Sequence, residues 1–483
     1  MVSKEVLDKY EMTVGIECHV QLATATKLFS GADNDARNKE PNSCVSAGDY
    51  AIPGVLPVLN RKAVELAVRA GLALNAEIGL KSSFDRKHYF YPDLPAGYQR
   101  TQMYAPIVGA GKVFVTDPAS GEEVVVRIEH AHLEEDAGKL THFEDYSLVD
   151  LNRAGTPLLE IVSMPDIHSA GVARAFAEEL HRLMTYSGAS HGDLYHGNMR
   201  FDVNISVALK GAKELGTRAE IKNLNSFRSV EKAAEYEFVR QVEAIEKGEK
   251  LRQETRGWDD VKCKTVAQRS KEEAMDYRYM PDPDVPVVVL SAEMVEAARE
   301  AMPMMPREYR EKWKGLGLDA SVVGAILGYQ DLAVKLTEVM EEAGVSAATK
   351  CAHWFTGILL SEEGEGLDWA KLDVARLVEL SEMVEKGELS STAGKEVFVK
   401  LFEDERGARA VAEAANLVQV NDAGELEKIV DEVLGLPECA QAVSDVKGGE
   451  MKAIGFLVGQ VMKRSGGKAN PGMVKGMIEG KLK

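Results

Sequence analysis

From Thr13 to Leu22 the chain reads Thr-Val-Gly-Ile-Glu-Cys-His-Val-Gln-Leu, apolar at Val14, Ile16, Cys18, Val20 and Leu22, and polar or small between them. Unbroken period-two alternation describes a strand with one face on a core and the other free. Glu17 and His19 then project from the free face, about 6.5–7 Å apart along the strand. Alone, such a pair reads as a solvated face. Two later stretches repeat the design. Met199–Val207 sets Met199, Phe201, Val203, Ile205 and Val207 against Arg200, Asp202, Asn204 and Ser206. Thr217–Asn223 alternates Ala219 and Ile221 with Arg218, Glu220 and Lys222, and the link Lys210–Gly216 is short enough for a hairpin. One-sided alternation with short connections predicts an antiparallel sheet, because parallel strands are buried on both faces. In a shared sheet, one face collects Glu17, His19, Arg200, Asp202, Asn204, Glu220 and Lys222. That surface suits a divalent cation together with a polyanion.

Helical spacing surrounds these strands. A helix is predicted after Asn60 (Val64, Ala67, Val68, Leu72), another within 166–188, and a third from Ser226 to near Gly248. Helices on a polar-faced antiparallel sheet make an α+β architecture. From about Ser291 the pattern turns wholly helical, and a smaller helical unit follows Arg406–Arg409. The predicted domains are 1–294, 295–407 and 408–483.

Three segments of the first region carry further candidates. Phe84–Gln99 packs aromatics, prolines and Lys87 into an irregular loop. It either closes over a nucleotide, with Lys87 on phosphate and tyrosines such as Tyr89 on a ring, or packs as a rigid structural loop. Val124–Lys139 reads as a strand entering an acidic turn at Glu134, Glu135 and Asp136. Two carboxylates about 4 Å apart repel by roughly 4 kcal/mol at an effective dielectric of 20, so a rigid trio requires cations and a mobile one does not. Glu160 stands inside the apolar run Leu158–Val162, where an unpaired carboxylate is costly.

At 483 residues and 28% charged, the chain is a multi-domain globular protein, and no run approaches the roughly 20 apolar residues of a membrane span. The five scattered cysteines suggest neither a disulfide framework nor a thiolate zinc site, and a reducing cytoplasm fits. A net charge of −19 argues against a nucleic-acid partner, but its distribution is uneven. Lys447–Lys483 holds eight Lys/Arg against two Glu, a net +6 that leaves −25 for the rest. That tail either binds phosphates or solubilises a terminal helix, since screening confines fields to about 8–10 Å. Walker and dinucleotide glycine patterns are absent. Phosphoryl chemistry here requires a carboxylate-lined sheet holding Mg²⁺, with Glu17, Glu135, Glu160 and Glu220 as oxygen donors beside Lys87, Arg200 and Lys222. His19 is a less usual Mg²⁺ ligand and fits an outer or substrate contact.

The segments 14–22, 84–95, 133–139, 151–163, 220–227, 276–284 and 454–463, with Ala469-Asn-Pro471, resemble the B subunits of the aspartyl/glutamyl-tRNA amidotransferases in order along nearly the whole chain. The resemblance implies a glutamine-synthetase-like cradle on an antiparallel sheet, a helical domain and a tRNA-binding tail. It implies an ATP- and Mg²⁺-dependent carbon–nitrogen ligase that uses glutamine as amido donor. The side chain of Glu-tRNA(Gln) or Asp-tRNA(Asn) is phosphorylated, then amidated by ammonia. An amidase subunit would supply the ammonia and a small third subunit would clamp a heterotrimer, since this chain lacks the amidase Ser-Ser-Lys machinery. Glu17, His19, Glu135 and Glu160 fall on the family's metal positions and Lys87 on its phosphate-side lysine, so Lys87, Glu135 and Glu160 are the expected catalytic residues. Tyr89, Arg200, Asp202, Asn204, Glu220 and Lys222 are expected at ATP or substrate, and Lys452, Lys463, Arg464 and Lys468 at tRNA.

This chain departs from the family at Ala96, where a lysine is usual, and at Tyr195-His196, where an acidic pair is usual. Cys44 is what remains of a paired-cysteine cluster. The first two departures weaken phosphate or second-metal binding unless His196 substitutes as a ligand. They define the alternative reading, a tRNA-binding scaffold with a decayed kinase face.

Overall fold

The alternating stretch forms β1 (Tyr10–Gln21), a middle strand of an eight-stranded sheet. The structure, a computed structural model, describes residues 3–270, 276–361, 367–419, 423–466 and 469–482. After the short helix α1 (Lys4–Leu7), β1 and α2 (Arg61–Ala73) come β2 (Lys81–Ser82), β3 (Asp85–His88), β4 (Tyr98–Thr101) and β5 (Gly111–Thr116). They are followed by β6 (Glu123–Glu135), β7 (Lys139–His142), β8 (Ser147–Asp150), β9 (Pro157–Ser163) and α3 (Ala170–Tyr186). Then come β10 (Met199–Leu209), β11 (Ala219–Leu224), α4 (Phe227–Glu246), β12 (Glu254–Asp259), β13 (Lys264–Ser270), β14 (Met280–Pro281), β15 (Val288–Val289) and α5 (Ala292–Glu300).

The large sheet runs β13-β12-β11-β10-β1-β9-β6-β5. Its pairs are antiparallel, as the alternation predicts, except β11 with β12, which is parallel. The exception follows from α4, a crossover helix that returns the chain to start β12 in the same direction. Val14, Ile16, Cys18, Val20 and Leu22 are at most 1% exposed and share one core with α2, α3 and α4. Burying each such aliphatic side chain stabilises by about 1.5–3 kcal/mol, so a one-residue slip of β1 would forfeit the whole row. Asn60, Ser169 and Ser226 cap those three helices by accepting N–H bonds from Lys62, Val172 and Ser229.

Two sequence expectations change here. The acidic run at 134–135 lies within β6, and no turn begins before it. The 84–99 segment contains a hairpin, β3 with β4, joined by β14 into a small sheet.

The chain divides into two compact units, 1–307 and 308–483. The expected boundary at 294/295 falls inside α5, whose Val295 and Ala298 pack on the first unit's core. The second unit is built of helices, including Gln330–Leu359, which kinks at Gly344 with φ of 80°. Its last four helices, from Ala423 to Leu482, enclose a core of their own around Leu426, Val430, Leu457, Val461, Val474 and Ile478. No helix among the described residues is long and apolar enough to cross a membrane.

Candidate active site and metal clusters

Strand register builds the site. Arg200, His19, Glu160 and His132 form one row across β10, β1, β9 and β6, and Asp202, Glu17, Val162 and His130 form the next. Neighbouring strands lie about 4.8 Å apart, so the charged ends of a row meet. His19 Nε2 is 3.5 Å from Glu160 and 3.9 Å from Glu134; His132 Nε2 is 3.5 Å and 3.7 Å from the same two carboxylates. Donor atoms of His19, Glu134 and Glu160 all lie within 4.8 Å of one another. The Glu134 side chain is only 4% exposed and faces both imidazoles. His132 Nδ1 is buried without a hydrogen-bond partner among the described residues.

The groups hold one another charged. Burial disfavours a charged His19, but Glu160, then Glu134 and Asp202, push its pKa up to about 9. Burial likewise opposes His132, and Glu134 and Glu160 raise it. Burial would raise Glu160, yet His19, His132 and Lys87 hold it well below the usual carboxylate range.

A second cluster stands alongside. Donor atoms of Glu17, Asp202 and Glu220 lie within 4.8 Å of one another. Asn204 donates to Glu17 at 2.9 Å; Lys222 Nζ reaches Glu220 at 2.9 Å and Asp202 at 3.3 Å. Burial, then the charge of Glu160, raises Glu17. The all-oxygen donor set suits Mg²⁺, and the first cluster adds an imidazole that many divalent ions accept. Both donor sets fit divalent cations.

Lys87 projects from β3, its Nζ 5.0 Å from the Tyr277 ring centre and 6.0 Å from that of Tyr89. Burial works against its charge, and Glu134, with Glu160, restores and strengthens it. Tyr89 donates to Gln99 at 3.4 Å, and burial followed by the Glu134 charge raises its phenol. The segment is anchored beneath by Arg86 and Arg100, both bonded to the fully buried Asp282 at 3.1 Å.

Glu135 does not join the clusters. It follows Glu134 along β6 and so points to the opposite face, where it accepts bonds from Arg100 N at 3.0 Å and Nη1 at 3.2 Å. Burial raises its pKa and Arg100 opposes the rise. Of the two adjacent glutamates, it is Glu134 whose carboxylate lies with His19 and Glu160, while Glu135, the expected ligand, lies on Arg100. His132 is not among the residues the sequence reading offers, and Glu134 enters it only as one of an acidic trio, although the spacing His130, His132, Glu134 is readable once the strand is carried through residue 135. Arg200 reaches Asp136 at 2.9 Å. In the tail, Lys452, Lys463 and Arg464 are exposed, with Arg464 bonded to Glu432 at 3.0 Å. Lys468 lies outside the described residues.

The family profile described as the GatB/GatE catalytic domain matches residues 12–296, and the GatB domain matches residues 336–482. The chain belongs to the amidotransferase B-subunit family. It is 46% identical over 486 residues to the aspartyl/glutamyl-tRNA(Asn/Gln) amidotransferase B subunit of Teredinibacter turnerae, covering 98% of this chain and 99% of the relative. The Thioalkalivibrio sulfidiphilus protein of the same name is 43% identical over 480 residues, 98% and 100% of the two chains. The chloroplastic/mitochondrial glutamyl-tRNA(Gln) amidotransferase B subunit of Physcomitrium patens is 41% identical over 487 residues, 98% and 86%. In this amidotransferase chain, the departures from the family pattern fall away from both clusters. Ala96 lines a cavity of about 50 Å³ beside Arg100 and Glu135, which pair at 3.2 Å. Tyr195 is 92% exposed, and His196 Nδ1 bonds Asp193 at 2.6 Å; His196 belongs to neither cluster of possible ligands.

Proposed function

We propose that the chain is the kinase–transamidase component of a glutamine-dependent tRNA amidotransferase acting on Glu-tRNA(Gln), Asp-tRNA(Asn) or both. The observation that carries this reading is the open sheet face where His19, Glu134 and Glu160 adjoin Glu17, Asp202 and Glu220 within reach of Lys87's charge. A carboxylate oxygen of the aminoacyl side chain attacks the γ-phosphorus of ATP, and ADP leaves. Ammonia then adds at the acyl carbon, and phosphate leaves with the C–O electron pair. Oxide is a poor leaving group and phosphate a good one, so activation must come first.

His19, Glu134 and Glu160 would hold one divalent cation, and Glu17, Asp202 and Glu220 another. Mg²⁺ held by these residues would supply neutralisation of the phosphate charge. Lys87, kept protonated by its acidic neighbours, meets the phosphate side. Glu135 holds the hairpin that carries Lys87, through Arg100 and Asp282. Ammonia comes from an amidase subunit, with a small third subunit completing a cytoplasmic heterotrimer, and the basic tail contacts tRNA through Lys463, Arg464 and Lys452. The test is ADP release by the purified complex given ATP, Mg²⁺ and misacylated tRNA. Release that depends on the charged tRNA is expected; release indifferent to it, or none, overturns the reading in favour of a scaffold.

A further inference from the structure

Lys87 keeps its charge in an uncommon setting. Among the described residues no carboxylate stands within 4.0 Å of its Nζ, and Glu134 and Glu160 act on it from further away. What surrounds the ammonium instead is aromatic: the Tyr277 ring centre at 5.0 Å and that of Tyr89 at 6.0 Å. The two rings stand 6.1 Å apart at 74°, and Tyr279 packs on Tyr277 at 6.1 Å and 68°. A cation within about 6 Å of a ring centre is attracted by the negative face of the ring.

Tyr277 arrives from the far end of the first unit and is fastened to the strand that carries Lys87. His88 N donates to Tyr277 O at 2.9 Å, and His88 Nδ1 lies 3.0 Å from Arg278 O. Just beyond, β14 pairs with β3, Met280 opposite Arg86 and Pro281 opposite Asp85. Arg278, between the two tyrosines, takes a left-handed backbone with φ of 44°. Non-glycine residues keep that conformation only where their surroundings impose it. A ring face also differs from a carboxylate in what it leaves over. A carboxylate neutralises an ammonium and occupies its N–H donors, whereas a π face holds the charge and occupies none. An incoming phosphate then meets a full positive charge with its donors open, the condition for short charge-assisted bonds.

We propose that Tyr277 is a positioning residue: its ring face, completed by Tyr89, fixes the Lys87 ammonium for the phosphates of ATP without neutralising it. The role rests on the function proposed above, in which Lys87 meets the phosphate side. Tyr277→Leu removes the face and keeps apolar bulk, Tyr277→Met does so with an unbranched chain, and Tyr277→Phe keeps the face. In full-length protein carrying lysine labelled with carbon-13 at Cε, the Lys87 signal, assigned with Lys87→Met, should lie upfield through the ring currents. It should hold that position in Tyr277→Phe and move towards the other lysines in Tyr277→Leu and Tyr277→Met.

In the assembled complex, KM for ATP should rise about three- to tenfold in Tyr277→Leu and Tyr277→Met, with kcat changed less, and stay within about twofold of the unaltered protein in Tyr277→Phe. Adding Tyr277→Leu to Lys87→Met should raise KM no further, since the lysine it acts through is gone. An unmoved Lys87 signal in Tyr277→Leu and Tyr277→Met, an equal KM rise in Tyr277→Phe, or additive effects in the double variant overturns the role. Those results leave the amidotransferase reading intact. A wild-type complex that releases no ADP with charged tRNA overturns the reading and the role together.

Discussion

Replacing each of two adjacent glutamates by its amide should separate ion binding from fold stability. Glu135 accepts two bonds from Arg100, at 3.0 and 3.2 Å, in a buried setting. In Glu135→Gln the amide oxygen still accepts the main-chain bond, but the guanidinium loses a charged partner. Hydrogen bonds to charged groups are worth about 1.5–3 kcal/mol. Arg100 keeps Asp282 at 3.1 Å, so the loss should be about 2 kcal/mol, below the 3–5 kcal/mol of an abandoned buried ion. Glu134 is different, since it faces imidazoles at 3.7 and 3.9 Å. Glu134→Gln removes one of the two carboxylates of that cluster while breaking no short bond. Altering residues that merely support a metal ligand costs about 10–100-fold in affinity, so losing a ligand should cost on the order of 100-fold, about 2.7 kcal/mol. Urea denaturation reads the first effect, and Mn²⁺ titration followed by electron paramagnetic resonance reads the second. Glu135→Gln losing Mn²⁺ affinity as far as Glu134→Gln does, at unchanged urea midpoint, would refute the division of the pair by strand alternation.

Four further outcomes are expected. Lys87→Met should raise KM for ATP at least tenfold with Mn²⁺ affinity little changed; loss of Mn²⁺ binding would show that the lysine supports the cluster instead. Reversing charge at Lys463 and Arg464 should weaken tRNA binding and flatten its salt dependence by about two phosphate contacts, leaving ATP affinity unchanged; an unaltered salt slope counts against the tail. Among the five cysteines only Cys263 is exposed, and burial pushes Cys351 up to about 12. A thiol reagent at pH 8 should therefore label one cysteine rapidly in the native protein and all five in denaturant, and a second fast thiol contradicts the packing. Lys27 is fully buried 3.5 Å from Asp49, whose carboxylate also accepts from Ser30 Oγ and Ser46 N, so Lys27→Met should cost about 3 kcal/mol by leaving a buried carboxylate without its cation; a loss under 1 kcal/mol in urea denaturation would show that the pair is solvated.

Most of the sheet was legible because its strands advertise their faces. The alternation of β1 named the buried Val14, Ile16, Cys18, Val20 and Leu22 and, by difference, the free Glu17 and His19. The same rule, applied one step further along β6, separates His132 and Glu134 from Glu135. A turn at 134–136 would break that period and hide that Glu134, not Glu135, shares the face of His132. Other features had no local signal. Nothing within β1 or β6 says that β9 lies between them, yet that neighbour places Glu160 between His19 and His132. Arg100 and Asp282 are 182 residues apart, and only tertiary folding shows that Glu135 has Arg100 as its partner. Short-range periodicity therefore reports which way a side chain points, and cross-strand register decides what it meets. Candidate ligands read from a sequence are most secure where the strand's phase is followed to its last residue.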